Sequence, residues 1–280
     1  YLTTDEKWRM YTTLDEISPT LRKAIIHKED QYFYYHFGVN PLAILRAACN
    51  NIVKSKRTSG ASTITMQEAR MLEPKKRSYG NKIIEIFRAI QLEWQYSKHE
   101  ILQLYLNLVP YGGNIEGVKA ASLIYFEKMP DHLSLAEVTT LAIIPNRPNS
   151  LRLGRVNDKI IAARNQWLQR FETVQLFESG TIADALTEGL TATRTVLPRV
   201  APHLSYRLKR SYPQSPIIRS STDLNMQLKV ESIVGNYSRQ LYGRNIKNAA
   251  AVVVDNETMQ VKAYVGSADY YDARDGGQVD

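Results

Sequence analysis

The sequence predicts a mainly α-helical domain followed by the opening of an α/β one. Three observations predict it. Serine caps precede apolar runs at helical spacing through the first two-thirds of the chain, a proline-punctuated stretch follows about residue 195, and short apolar or alternating runs appear after residue 249. A length of 280 residues holds one large domain or two ordinary ones. With 44% hydrophobic and 23% charged residues, wholesale disorder is excluded. The longest apolar run, Ala249 to Val254, is too short to span a bilayer. The polar opening from Tyr1 to Met10 is no signal peptide, so any targeting segment is expected upstream.

The elements follow in order. Ser18-Pro19 reads as an N-cap followed by proline at the first helical position, with Leu21, Ile25 and Ile26 as the apolar face. Pro41 opens a second helix, with Leu42, Leu45, Ala48 and Ile52 at helical spacing. Ser97 to Glu100 and Ser134 to Glu137 are capping boxes, in which the serine covers one free N–H and the glutamate reaches back to another. The first of these helices ends at Pro110 and Gly112-Gly113, the second at Pro145. A further amphipathic stretch runs from about Asp158 to Phe177. Pro198, Pro202, Pro213 and Pro216 then mark a linker over 196–220. Leu224 to Tyr242 reads as helix. Ala249 to Asp255 and Met259 to Val265, separated by Asn256-Glu257-Thr258, read as a β-hairpin.

Cys49 is the one cysteine, which excludes an internal disulfide and a cysteine-built metal site. The net charge is +8, and residues 54–98 alone carry ten basic and four acidic side chains. A patch of that density suits a phosphate-bearing partner, whether nucleic acid, an anionic membrane surface or a diphosphate substrate. It suits equally a solvated surface.

Three stretches carry candidate chemistry. Glu29-Asp30 ends an apolar helix and runs into Tyr32 to Phe37; a carboxylate desolvated beside aromatic rings becomes a usable proton acceptor. Ordinary helix-end acids next to core aromatics would read the same way. Gly60 to Arg70 places a glycine and several hydroxyls before a helix, a setting that attracts anions or merely caps the helix. In the third stretch, Arg77, Asn81, Glu85 and Arg88 share one helical face with Lys82 at its edge, while Ile83, Ile86, Phe87, Ile90 and Trp94 share the other. That charged face reads as a site for a cation and a leaving group or as a solvent-facing stripe of ion pairs. No Gly-x-Ser-x-Gly, Ser-x-x-Lys, Walker or His-Glu-x-x-His motif is present. His36 and His99 read as structural.

Taken together and in this order, the stretches resemble the five motifs of the peptidoglycan glycosyltransferases, glycosyltransferase family 51. The motifs are Glu29-Asp30 with Phe33, His36 and Gly38; Gly60 to Thr65 with Gln67; Arg77 with Lys82 and Glu85; Lys98 with Glu100 to Leu102, Tyr105 to Asn107 and Gly112; and the helix from Leu135 into Pro145. Thr65-Met66-Gln67, Ala69-Arg70 and Pro110 to Gly113 look like the 1C subfamily of class A penicillin-binding proteins.

The resemblance implies a lysozyme-like helical glycosyltransferase lobe over 1–195, with a small jaw subdomain at about 38–60. It implies a linker over 196–220 and, over 221–280, the N-terminal portion of a transpeptidase domain that lacks its Ser-x-x-Lys nucleophile. It implies polymerisation of lipid II into glycan strands, by inverting transfer with an undecaprenyl diphosphate leaving group. Glu29 and Glu85 would be catalytic. Asp30, Phe33, His36, Ser62, Thr63, Gln67, Arg70, Arg77 and Lys82 would bind substrate, and Glu85 would hold a divalent cation, Mg²⁺ or Mn²⁺; no organic cofactor is implied. The implied partners are lipid II, the growing glycan strand and, through the jaw, a membrane surface. A transmembrane helix is expected before Tyr1, the site facing the outer side of the bacterial cytoplasmic membrane, and no nucleic acid is expected. Met66, Arg70, Asn81 and Asn40 depart from the family's common residues, which bears on rate more than on reaction type. The rival expectations are lytic glycan cleavage and a non-catalytic lipid II-binding scaffold.

Overall fold

The computed structural model describes residues 6–46, 62–76, 78–146, 151, 153, 157–195, 200–215 and 217–278. The chain divides into two units, 1–196 and 197–280.

In the first unit the helices begin where the caps were read. Ser18 accepts the Leu21 N–H at 3.1 Å and opens α1 (Pro19–Asp30), with proline in its first turn. Thr63 caps α2 (Ile64–Leu72) and Ser78 caps α3 (Tyr79–Gln95). Both capping boxes form, at the heads of α4 (Lys98–Leu108) and, beyond α5 (Val118–Phe126), of α6 (Leu135–Ile143). Helices α7 (Asn157–Thr173) and α8 (Ser179–Thr187) complete the unit. All nine residues of α6 are buried, the mark of a helix enclosed on every side. Its two threonines return their hydroxyls to Leu135 and Ala136 carbonyls, at 2.7 and 2.8 Å, so no polar atom of theirs is stranded. Helix α6 packs on α1, α7 and α8, while α2 packs on α3 and α4.

A small sheet that the sequence did not announce joins β1 (Trp8–Arg9), β2 (Pro110–Gly112) and β3 (Ile115–Glu116) in the order β1-β3-β2. Strands of two or three residues carry no readable alternation. The sheet pins the chain start: Lys7 pairs with Glu116, and Arg9 Nε reaches the same carboxylate at 2.6 Å.

The apolar face of α3 does not pack inward, since Ile83, Phe87 and Trp94 are exposed while Ala89 is the fully buried residue. Gly38 explains this. It lies at φ +75°, and a Cβ there would stand 2.8 Å from the Ala89 carbonyl oxygen, so α3 is drawn in along its alanine side. Of the expected jaw at 38–60, residues 41–46 are helical, with Leu42 and Leu45 exposed; 47–60 lie outside the described residues.

In the second unit, part of the expected linker is helix α9 (Pro202–Ser211). Pro202, read as a breaker, sits in the first helical turn, where its missing N–H costs nothing. His203 on that helix is buried, with Nε2 2.9 Å from the Gly277 carbonyl. Helix α10 (Leu224–Leu241) lays Val230 and Val234 on Ala263 and Val265 of an antiparallel hairpin, β4 (Ala251–Val254) with β5 (Val261–Val265). Asp255 accepts the Glu257 and Thr258 N–H groups and shapes the turn between the strands.

Candidate active site

Glu29 and Asp30 are neighbours on the last turn of α1 and have separate fates. The Glu29 side chain is 3% exposed and pairs with Lys28, itself buried and 5.7 Å from the Trp167 ring centroid. The other Glu29 oxygen accepts the Gln67 side-chain amide at 3.1 Å. Thus the end of α1 is tied to the middle of α2, and one carboxylate is held by a cation and an amide donor.

Asp30 faces the other way. Its Oδ2 accepts the Ile64 N–H at 3.0 Å and lies 2.9 Å from His36 Nε2. It therefore satisfies a free N–H at the head of α2, where the helix dipole also favours an anion. Thr63 Oγ1 accepts the Met66 N–H and donates to the Gly38 carbonyl at 2.6 Å. Phe33 is fully buried, with Lys98 Nζ 4.5 Å from its ring centroid, and Lys98 pairs with Glu93 at 2.7 Å. Asp30 and Thr63 meet the open head of α2, and His36 holds the Asp30 carboxylate through Nε2 while its buried Nδ1 has no hydrogen-bond partner among the described residues.

The second cluster lies on α3. Lys82 Nζ is 2.7 Å from Ser62 Oγ and 2.8 Å from Glu85 Oε2, and its side chain remains 38% exposed. Ser62, just ahead of the α2 cap, is therefore joined to the third motif through a lysine that solvent reaches. Arg70 sits on α2 three residues beyond Gln67 and acts electrostatically on the Tyr105 hydroxyl, as Glu29 does. Arg77 lies outside the described residues. The Glu85 carboxylate holds Lys82, and among the described residues no group of three His, Cys, Asp or Glu side chains converges. A divalent ion at Glu85 would take its remaining ligands from substrate diphosphate oxygens and water.

Four residues to which the sequence reading gave no role also belong here. Lys28 pairs with the Glu29 carboxylate. Glu68 is fully buried on α2, and burial raises its pKa to about 8. Tyr105 and Tyr111 are fully buried too; desolvation first, then the nearby Glu29 charge, pushes both hydroxyls well up. A signal for Glu68 was available, since it stands four residues after the buried Ile64, on the same helical face. Tyr105 stands in the fourth motif and Tyr111 in the Pro110 to Gly113 turn, while nothing in the local pattern marks Lys28.

With this geometry in place, the relatives can be set beside it. A family model described as Transglycosylase matches residues 1–172. Penicillin-binding protein 1C of Escherichia coli K12 is 37% identical over 276 residues, covering 99% of this chain and 36% of that protein. Penicillin-binding protein 1A of the same strain is 42% identical over 167 residues, 59% of this chain and 20% of that protein. Penicillin-binding protein 1A of Aquifex aeolicus is 36% identical over 163 residues, 58% of this chain and 22% of that protein. The chain thus spans about a third or less of the length of these relatives. The family model covers most of this chain, including the Glu29, Ser62–Arg70 and Lys82–Glu85 stretches. The chain therefore belongs to the Transglycosylase family, the peptidoglycan glycosyltransferases whose motifs it carries.

Proposed function

We propose that this chain polymerises lipid II into glycan strands, with Glu29 as general base. The observation that carries the reading is the Glu29 side chain itself. It is a nearly buried carboxylate, held by Lys28 and by Gln67 of the second motif, in a chain that belongs to the transglycosylase family. The acceptor's 4-hydroxyl gives its proton to Glu29 as its oxygen bonds to the donor's anomeric carbon. The bond from that carbon to the diphosphate oxygen breaks, and the lipid diphosphate leaves with the electron pair. Base on one face and leaving group on the other yields inversion. Lys82, half open to solvent and steadied by Ser62 and Glu85, is suited to the departing diphosphate, with Arg70 and Arg77 as further cations. Glu85 orients Lys82 in this reading.

The finer architecture follows the same reading. Unit 1 is the lysozyme-like lobe, with its jaw around 38–60. Unit 2 opens a transpeptidase domain, a reading supported by the relative whose match runs over nearly the whole chain. The exposed Ile83, Phe87 and Trp94 on α3, with Leu42 and Leu45, supply an apolar surface suited to a lipid interface on the outer face of the cytoplasmic membrane. No helix among the described residues is long and apolar enough to cross a membrane.

The test is glycan-strand growth from lipid II by the wild type and Glu29→Gln, beside incubation with isolated glycan. Strand growth lost by about a hundredfold or more in Glu29→Gln supports the reading. Release of fragments from isolated glycan supports cleavage instead, and binding of lipid II without turnover by the wild type supports a scaffold.

A further inference from the structure

Glu93 of α3 carries a side chain only 3% exposed, and the mechanism above leaves it without a role. One of its oxygens, Oε1, takes two donors. The Thr65 hydroxyl of α2 donates to it at 2.6 Å and the Lys98 ammonium of α4 at 2.7 Å. Both lengths belong to charge-assisted hydrogen bonds, the strong class. Three helices therefore meet at one carboxylate oxygen. The segment after α1 closes over the same point: Lys98 Nζ lies 4.5 Å from the centroid of the buried Phe33 ring, and a Cβ on Gly38 would stand 3.0 Å from Glu93 Cγ. Lys98 is also the first residue of α4, where the helix dipole disfavours a cation. Helix formation gives no reason for a lysine there; the buried carboxylate does.

We propose that Glu93 is a positioning residue for strand growth: by holding Thr65 it fixes the seat of α2 against α3, and with it the aim of Gln67 at Glu29. This deepens the reading of Glu29 as the base and rests on it. Thr65 and Gln67 stand two residues apart, about 200° around the helix. Helix α2 is thus fastened on one side to Glu93 and on nearly the opposite side to the base, through the 3.1 Å bond from Gln67 to Glu29. Thr65 is fully buried, so bulk water does not stand in for a lost bond. A hydrogen bond is directional, and rotation of α2 about its axis stretches it where an apolar contact would slide.

Helix α3 also carries Lys82, which reaches Ser62 just ahead of α2. The two helices are therefore tied at two points, one bearing the cation suited to the departing diphosphate and one buried. Lys98, from the fourth motif, supplies the counter-charge to the buried acid and is spent there rather than on substrate.

The experiment compares the full chain with Thr65→Val, Thr65→Ser and Glu93→Gln. Thr65→Val keeps the bulk and removes the hydroxyl, while Thr65→Ser keeps the hydroxyl. The readouts are kcat and KM on lipid II and, independently of turnover, the ¹⁵N–¹H resonances of the Gln67 side-chain amide. Thr65→Val is expected to lower kcat by about tenfold with KM within about twofold, and to displace the Gln67 resonances. Thr65→Ser is expected to bring kcat to within about threefold of wild type and to return the resonances with it. Glu93→Gln offers Thr65 an oxygen without the charge, and is expected to fall between the two; it supplies the comparison if Thr65→Val does not fold. A folded Thr65→Val with wild-type kcat overturns the proposal. So does a loss of kcat with the Gln67 resonances unmoved, or a Thr65→Ser protein as slow as Thr65→Val. Gln67 resonances that move as expected, in a protein whose Glu29→Gln variant still grows strands at the wild-type rate, refute the base reading and leave the seat of α2 standing.

Discussion

Gln67 hands its side-chain N–H to Glu29 at 3.1 Å, and that single bond joins two motifs separated by 38 residues of chain. The amide fixes one oxygen of the carboxylate and leaves the rest of its acceptor capacity for Lys28 and an incoming hydroxyl.

Replacing Gln67 by alanine frees that oxygen without touching the charge. Gln67→Ala is expected to lower kcat for strand growth by about tenfold to a hundredfold, since a misaimed base loses much of its proton-transfer advantage. KM should change far less. Steady-state kinetics on lipid II check the split, and a pure KM effect would place Gln67 on the substrate instead.

Glu68 gives folding stability its own pH dependence. Its folded-state pKa of about 8 lies above the ordinary carboxylate value of 4.5. A raised pKa means that the folded state binds the proton more tightly than the unfolded one. The associated stability is therefore complete below pH 4.5 and drains away as pH rises toward 8. The loss by pH 7 is on the order of 3 kcal/mol. Glu68→Leu should melt higher than wild type, with a gap that widens between about pH 5 and 8 and then levels. A gap independent of pH in thermal melts would show that the carboxyl is not held neutral in the fold.

Asp30 fastens the head of α2 to the end of α1. Asp30→Ala strands the Ile64 N–H and a ring nitrogen of His36, and should cost about 1–3 kcal/mol in urea unfolding. Glu29→Gln keeps one oxygen for Gln67 but leaves the buried Lys28 ammonium without its counter-charge, so it too should lower stability.

Lys82 joins Ser62 and Glu85 and stays open to solvent. Lys82→Met should reduce kcat/KM for strand growth by about a hundredfold or more, because a charge that stabilises a departing diphosphate acts chiefly in the transition state. Lys82→Arg should recover only part of this, since the planar fork cannot serve a hydroxyl, a carboxylate and a diphosphate with the same geometry. A fully active Lys82→Met would move the leaving-group role to Arg70 and Arg77.

Much of the helical frame was legible because caps are local. Ser18, Ser97 and Ser134 each meet an N–H three residues ahead, a relation written wholly in adjacent residues. The hairpin between Ala251 and Val265 was legible for the same reason. What escaped depends on contacts between distant segments. The outward apolar face of α3 follows from how Gly38 meets Ala89, which no periodicity in α3 encodes. The helix at Pro202 was hidden because proline serves equally as a breaker and as a first-turn residue. At the site, Glu29 and Gln67 were named as candidates from their motifs. Tyr105 and Tyr111 stood in quoted motifs without a role, and their hydroxyls reach the neighbourhood of Glu29 only once α4 and β2 are folded around it.

The missing side chain at position 38 sets the clearance between that turn and the Ala89 backbone of α3. One methyl there would collide with the Ala89 backbone and wedge the helix carrying Lys82 and Glu85 away from the neighbouring segment. The backbone angle at that position would resist the methyl as well. Gly38→Ala would then act like a shim under a hinge, displacing α3 while leaving every one of its side chains chemically intact. Tolerance for variation is therefore narrow at a residue with no functional group at all.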